Sequence, residues 1–145
     1  IALAWTLTVP GAPLLYYGDE YGEHGGADPD NRHMWVAPAE RTARQTSLHD
    51  RVSRVGRLRS EIPALRRGTY APLTSTEDVL SFARISGSDY AIVVINRAST
   101  ARTLTITAPF GDAVLTDRMS DRTFGLASGA LTLEMAPRSV SILAP

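Results

Sequence analysis

The hydrophobic rhythm of the chain changes twice along its length. From Ile1 to Tyr17 there is no charged side chain and apolar residues dominate. Ile1 to Leu7 reads as the last turns of a buried helix. Val9-Pro10-Gly11 ends it, because proline lacks the amide donor and glycine permits a tight turn. Leu14-Leu15-Tyr16-Tyr17 is a short, almost wholly apolar run, the pattern of a strand buried on both faces in a parallel sheet. Gly18 to Arg32 is a loop rich in glycine and acid. Helix, buried strand and polar loop make one unit of an α/β architecture, where the loop after the strand usually holds the site.

From Ser47 to Gly68 the period becomes helical. Ser47 with Asp50 fits a capping box that opens a helix. Leu48, Val52, Val55, Leu58 and Ile62 form one apolar stripe. Arg51, Arg54, Arg57 and Arg59 mostly face away from it. Pro63 ends the helix, and Gly68 closes the following turn.

From about Thr69 to Pro145 the pattern switches to β. Val79 to Phe82 is one strand. Tyr90 to Ile95 is another, apolar enough to be central. Leu104 and Ile106 alternate with threonines. Ala113 to Thr116 is short. Leu131, Leu133 and Met135 alternate with Thr132 and Glu134, and Val140 and Ile142 with Ser139 and Ser141. Turn signals separate the runs at Ser86 to Asp89, Pro109 to Asp112, Ser128-Gly129 and Pro137. Short strands at this spacing predict an antiparallel sandwich.

Composition narrows the function classes. The 145 residues are 43% hydrophobic and 21% charged, an ordinary globular balance. Fifteen basic and fifteen acidic residues cancel, which argues against a nucleic-acid footprint. The arginine row on the helix therefore reads as a solvated face. Cysteine is absent, which excludes a disulfide scaffold, a thiolate metal site and a cysteine nucleophile. The uncharged start is no membrane span, since it holds Pro10, Gly11 and Pro13 and a spanning helix needs about 20 apolar residues. It also lacks the positive region of a signal peptide. The chain is too short for a complete (β/α)8 barrel, which takes about 250 residues. It starts in mid-pattern at Ile1, so we expect it to be the tail of something longer.

Candidate chemistry gathers after the apolar run. Asp19 and Glu20 are adjacent carboxylates, but neighbouring strand residues point to opposite faces, so a loop-anchoring role is expected. Asp28 and Arg32 lie four apart on the site-side loop. A carboxylate accepts hydrogen bonds from hydroxyls and a guanidinium offers a planar fork of donors, a combination suited to a neutral sugar. From residue types alone, an ion pair that closes the loop is the favoured reading of the same two residues. Trp35 could stack on a sugar face or simply fill space in the loop. His33 could touch a ligand. His24, His33 and His49 have no metal-ligand spacing, and Asp28, Asp30 and Asn31 do not match a calcium loop. No metal and no cofactor is expected.

Pro10 to Glu20, with its Gly-x-Pro, apolar run and Tyr-Tyr-Gly-x-Glu, resembles the last barrel strand of the α-amylase family of glycoside hydrolases. Gly25-Gly26 and Asp28-Pro29-Asp30-Asn31-Arg32-His33-Met34 resemble the Asp-Pro-x-x-Arg-x-Met loop of its maltodextrin-acting members. The helix at Ser47 to Glu61 matches the last barrel helix, and the β region matches the sandwich called domain C. The resemblance implies the final helix–strand–helix of a (β/α)8 barrel over residues 1–68, followed by an all-β antiparallel sandwich over residues 69–145. It implies that Asp28 and Arg32 contact a glucosyl unit, that Glu20 is structural, and that the catalytic carboxylates lie on strands this chain does not contain.

The function expected is the C-terminal portion of an α-glucan-active retaining glycoside hydrolase or transglycosylase. It would supply sugar contacts (Asp28, Arg32, Trp35) and no catalytic residue, and would be inactive alone. Its expected partners are an α-glucan or maltooligosaccharide and the missing N-terminal barrel region, with no nucleic acid and no membrane. The rival readings are a stand-alone β-sandwich carbohydrate-binding module and one half of a split enzyme.

Overall fold

The computed structural model describes residues 1–145 and begins with a short helix, α1 (Ala2–Thr8). Only its last residues, Leu7 and Thr8, are buried, while Ile1 and Trp5 remain exposed. Val9 ends it in extended backbone. The apolar run that follows departs from expectation. Leu14 to Tyr17 forms no strand, and Leu14 is 80% exposed. A parallel strand needs neighbours to take its amides and carbonyls, and no other segment of this chain pairs with it. The chain then makes a single 3-10 turn at Asp19–Tyr21, an irregular loop, and a second 3-10 turn at Pro38–Glu40.

The long helix α2 (Ala43–Glu61) starts ahead of the cap expected at Ser47. Thr42 and Gln45 cap it reciprocally: the Thr42 hydroxyl accepts from the Gln45 amide, and the Gln45 side chain accepts from the Thr42 amide. Ser47 lies inside the helix, where its amide is already bonded. Val52, Val55, Leu58 and Ile62 are buried as the stripe requires. Ile62 breaks the helix and Pro63 opens a short continuation, α3 (Pro63–Arg67), at the position where its missing amide costs nothing. Gly68 follows because nothing larger fits: a Cβ there would sit 2.5 Å from the Ala64 carbonyl oxygen and 2.7 Å from the Ile85 amide.

Eight strands complete the chain: β1 (Thr69–Ser75), β2 (Val79–Ser86), β3 (Asp89–Asn96), β4 (Arg102–Thr107), β5 (Ala113–Asp117), β6 (Thr123–Leu126), β7 (Ala130–Met135) and β8 (Ser139–Ala144). Six form one antiparallel sheet in the order β1-β2-β3-β8-β5-β6, and β4 and β7 pair as a second sheet. Tyr90 to Ile95 is central, as its apolar run predicts. β1 and β6 carry too few apolar residues to show a period.

The large sheet is covered on both faces. On one, Phe82, Ala91, Val93, Ile95, Ile142 and Ala144 meet the helices through Leu7, Val52, Val55, Leu58, Ala64 and Leu65. On the other, Ile92, Val94 and Leu143 meet Ile106, Leu131, Leu133 and Met135 of the second sheet. This double cover explains why β3 reads as a continuous run, whereas β7 alternates cleanly with one face in water. Ser141, expected to point outward, is buried and donates to Asp117 Oδ2 at 3.0 Å.

One helix arginine also breaks its expected pattern. Arg59 turns inward and is 9% exposed. Its guanidinium donates to the carbonyls of Leu7 (2.7 Å), Leu65 (2.8 Å) and Gly11 (2.6 Å). Arg84 of β2, 1% exposed, joins it on the Leu65 carbonyl and also donates to those of Thr8 and Gly68. Both sit where α1 ends, so they satisfy carbonyls that a helix C-terminus leaves unpaired. No carboxylate balances either charge. Burial lowers both pKa values, and the charge of Arg59 lowers that of Arg84 further.

Candidate functional site

The loop between the unpaired apolar segment and α2 is built from local polar contacts. Asp19 and Glu20 lie in its first turn, where each carboxylate takes a backbone amide. Asp19 Oδ2 accepts from Tyr16 at 3.2 Å, and Glu20 Oε2 accepts from Gly18 at 2.8 Å. Glu20 Oε1 also accepts from the Trp35 indole at 3.2 Å. Partial burial pushes the Glu20 carboxyl up, but the backbone amides, the indole N–H and the Arg41 guanidinium together hold it below the usual carboxylate range. These are anchoring bonds, so both carboxylates are engaged by the loop's own backbone.

Trp35 is 50% exposed. Its ring meets Tyr21 edge-on at 6.4 Å, and the Arg41 guanidinium lies 4.5 Å from the Tyr21 ring centre and 5.0 Å from that of Trp35. Tyr21 is buried, and its hydroxyl accepts from the Val36 amide at 3.0 Å. The indole is thus fixed in orientation while half its surface stays open.

Asp28 and Arg32 are brought together. Arg32 Nε lies 2.8 Å from Asp28 Oδ1, and both side chains are well exposed, at 74% and 62%. The turn that carries them is tight. Asp30 donates its amide to the Ala27 carbonyl at 2.8 Å and accepts the Gly26 amide on Oδ2 at 2.7 Å. At Gly25 a Cβ would fall 1.9 Å from the Asp30 carbonyl oxygen, so only glycine passes. His33 lies between Glu23 and Asp30, with Nδ1 2.9 Å from Glu23 Oε1 and Nε2 3.0 Å from Asp30 Oδ1. The Tyr17 hydroxyl donates to the His33 carbonyl at 3.1 Å. Trp35 is held by a different set of contacts, through Glu20, Tyr21 and Arg41.

No family model matches the chain. Individual relatives do. The chain is 33% identical over 147 residues to an amylopullulanase of Thermoanaerobacter thermohydrosulfuricus, a match taking in 92% of this chain and 10% of that protein. It is 30% identical over 133 residues to a cyclomaltodextrinase of Geobacillus thermopakistaniensis, over 90% of this chain and 22% of that one. An α-amylase structure from Anoxybacillus superposes with a TM-score of 0.84 at 26% identity, over 99% of this chain and 31% of that one. The chain belongs to the α-amylase family. It spans about a tenth and a fifth of the length of these two sequence relatives. Near-complete coverage here against a minor part there fits a C-terminal, domain-C-type correspondence within family proteins.

Residues of this family member that sequence reasoning missed are Glu23, Tyr17 and Arg41. Each acts through a contact at least ten positions away, or through an aromatic face, and neither leaves a local spacing to read. The one available signal is Gly25-Gly26, which marks a turn too tight for side chains and hence a loop with a fixed shape.

Proposed function

We propose that the chain is the C-terminal portion of an α-glucan-active, retaining glycoside hydrolase or transglycosylase. In this reading residues 1–68 belong to the catalytic (β/α)8 barrel and residues 69–145 form domain C. The chain supplies sugar contacts through Asp28, Arg32 and Trp35 and leaves the catalytic carboxylates to the rest of the parent protein. The observation that carries it is the exposed Asp28–Arg32 pair on a shape-fixed turn. Asp28 has an oxygen free to accept from a sugar hydroxyl, and the Arg32 fork retains donors beyond the one spent on Asp28. Trp35 adds a half-open ring of fixed orientation on which a pyranose face can stack. The relatives support a glucan: one is an amylopullulanase and another a cyclomaltodextrinase. Asp19 and Glu20 are engaged by backbone amides. The retaining reaction needs two carboxyl groups roughly 5–5.5 Å apart across the scissile bond, and these come from elsewhere in the parent.

Maltooligosaccharide titration of the chain, followed by NMR, tests this. The amides of Asp28 and Arg32 and the Trp35 indole should shift, and Asp28→Ala should remove the response. No shift at these positions would remove the sugar assignment. Release of shorter maltooligosaccharides by the purified chain would overturn its catalytic silence.

A further inference from the structure

Both ring nitrogens of His33 face carboxylate oxygens, Nδ1 toward Glu23 and Nε2 toward Asp30. A neutral imidazole carries one N–H and one lone pair. In that form one of the two contacts would set a lone pair against an anion. Only the imidazolium donates to both.

We propose that His33, in its charged form, is a positioning residue that fixes the turn presenting Asp28 and Arg32. Its use in sugar binding rests on the reading given above; its geometry does not. The bridge joins two separately anchored pieces. Glu23 belongs to the first turn, where its amide donates to the Gly18 carbonyl at 2.9 Å and its side chain covers Gly18. Asp30 belongs to the second, where its other oxygen takes the Gly26 amide. Arg32 closes that second turn by donating its amide to the Pro29 carbonyl at 3.0 Å. Without the imidazolium, the hydrogen bonds of residues 26–32 run only among themselves. A hydrogen bond from the Tyr17 hydroxyl to the His33 carbonyl then remains as a tie to the first piece.

The charged groups around the ring agree with this role. Glu23 and Asp30 face it directly, and Arg32 is taken up by Asp28. His24 is the other titratable group near both carboxylates. The Glu23 and Asp30 carboxylates hold the His33 imidazolium above its ordinary pKa of 6.5. The His33 ring holds Glu23 below its ordinary value, and the Gly26 amide together with His33 does the same for Asp30. A raised histidine pKa means that the bridge is complete below pH 6.5 and is lost as pH rises through the folded value. The lowered carboxylates give the opposite edge: their contribution is lost only as pH falls through their depressed values. The turn is therefore fixed in a window that closes on its alkaline side when His33 loses its proton.

The test is an NMR titration of the 145-residue chain, following the ring nitrogens of His33 and the amides of Asp28 and Arg32. The His33 midpoint should lie above 6.5, with both ring nitrogens protonated below it. The two amides should move with that same midpoint. Glu23→Gln should lower the midpoint and carry the two amides with it, while the amides of Phe82 and Val93 stay in place and report an intact body. A His33 midpoint at or below 6.5, or Asp28 and Arg32 amides that ignore it, would overturn the proposal. Maltooligosaccharide added on either side of the midpoint separates the two claims. A coupled midpoint with no sugar response removes the sugar reading alone. A sugar response equal on both sides removes the positioning role alone.

Discussion

The loop from Gly18 to Arg41 and the body from Ala43 onward handle charge in opposite ways. In the loop, Asp28, Asp30, Arg32 and His33 pair at the surface, and their side chains remain largely in water. In the body, Arg59 and Arg84 enter the protein and spend their donors on main-chain carbonyls. Exposed pairs of the first kind contribute little to stability, typically about 0–1 kcal/mol. They stay available to a ligand for the same reason. Buried guanidinia of the second kind have few donors left for a ligand, and removing one strands the carbonyls it served. The difference separates charged groups left open to water from charged groups committed to the main chain.

The largest loss of stability is expected in the apolar layer between the helices and the large sheet. Phe82 is fully buried between the helices and the large sheet. Phe82→Ala should cost about 3–5 kcal/mol in chemical denaturation. A cost under about 1 kcal/mol would mean that helices and sheet are not one stability unit. Arg84→Met comes next. It keeps much of the volume and leaves the Thr8 and Gly68 carbonyls buried and unpaired, at a cost on the order of 2–3 kcal/mol. Arg59 and Arg84 share the Leu65 carbonyl, so Arg59→Met and Arg84→Met should couple by at least ~0.5 kcal/mol in a double-mutant cycle. Strict additivity would show that the two act separately. Smallest is Asp28→Ala, which should change stability by no more than about 0.5 kcal/mol. A loss above ~1.5 kcal/mol would move the ion pair into the structural class and undercut its assignment to sugar.

The parts that were legible in the sequence are those governed by a period. The stripe of Val52, Val55, Leu58 and Ile62 and the alternation of Leu131, Leu133 and Met135 both appear as the pattern requires. The helix starts ahead of Ser47 because two cap signals compete. Thr42 with Gln45 satisfies both orphan amides, whereas Ser47 with Asp50 lies a turn too late. Arg59 reads as solvated because a charged side chain on a polar face normally belongs there. Its inward path depends on carbonyls at Leu7 and Gly11, some fifty positions away, which no local pattern contains. Leu14 to Tyr17 reads as a buried strand because apolarity states what a segment wants to be covered by, not whether this chain covers it. In the loop, the spacing of Asp28 and Arg32 allows the ion pair that the structure shows. The bridge through His33 has no such local signal, since it joins residues 23, 30 and 33 across two turns.

The core shared by α2, α3 and the large sheet has a consequence for how this piece of protein can be inherited. A gene that borrowed residues 69–145 alone would receive a sheet stripped on one face, with Phe82, Val93, Ile95 and Ile142 turned toward water. Such a patch favours self-association over independent folding. The portable module, whether for evolutionary shuffling or for recombinant expression, is therefore the sandwich together with the helices that roof it, α1 included, because Arg59 and Arg84 spend donors on carbonyls of residues 7–11.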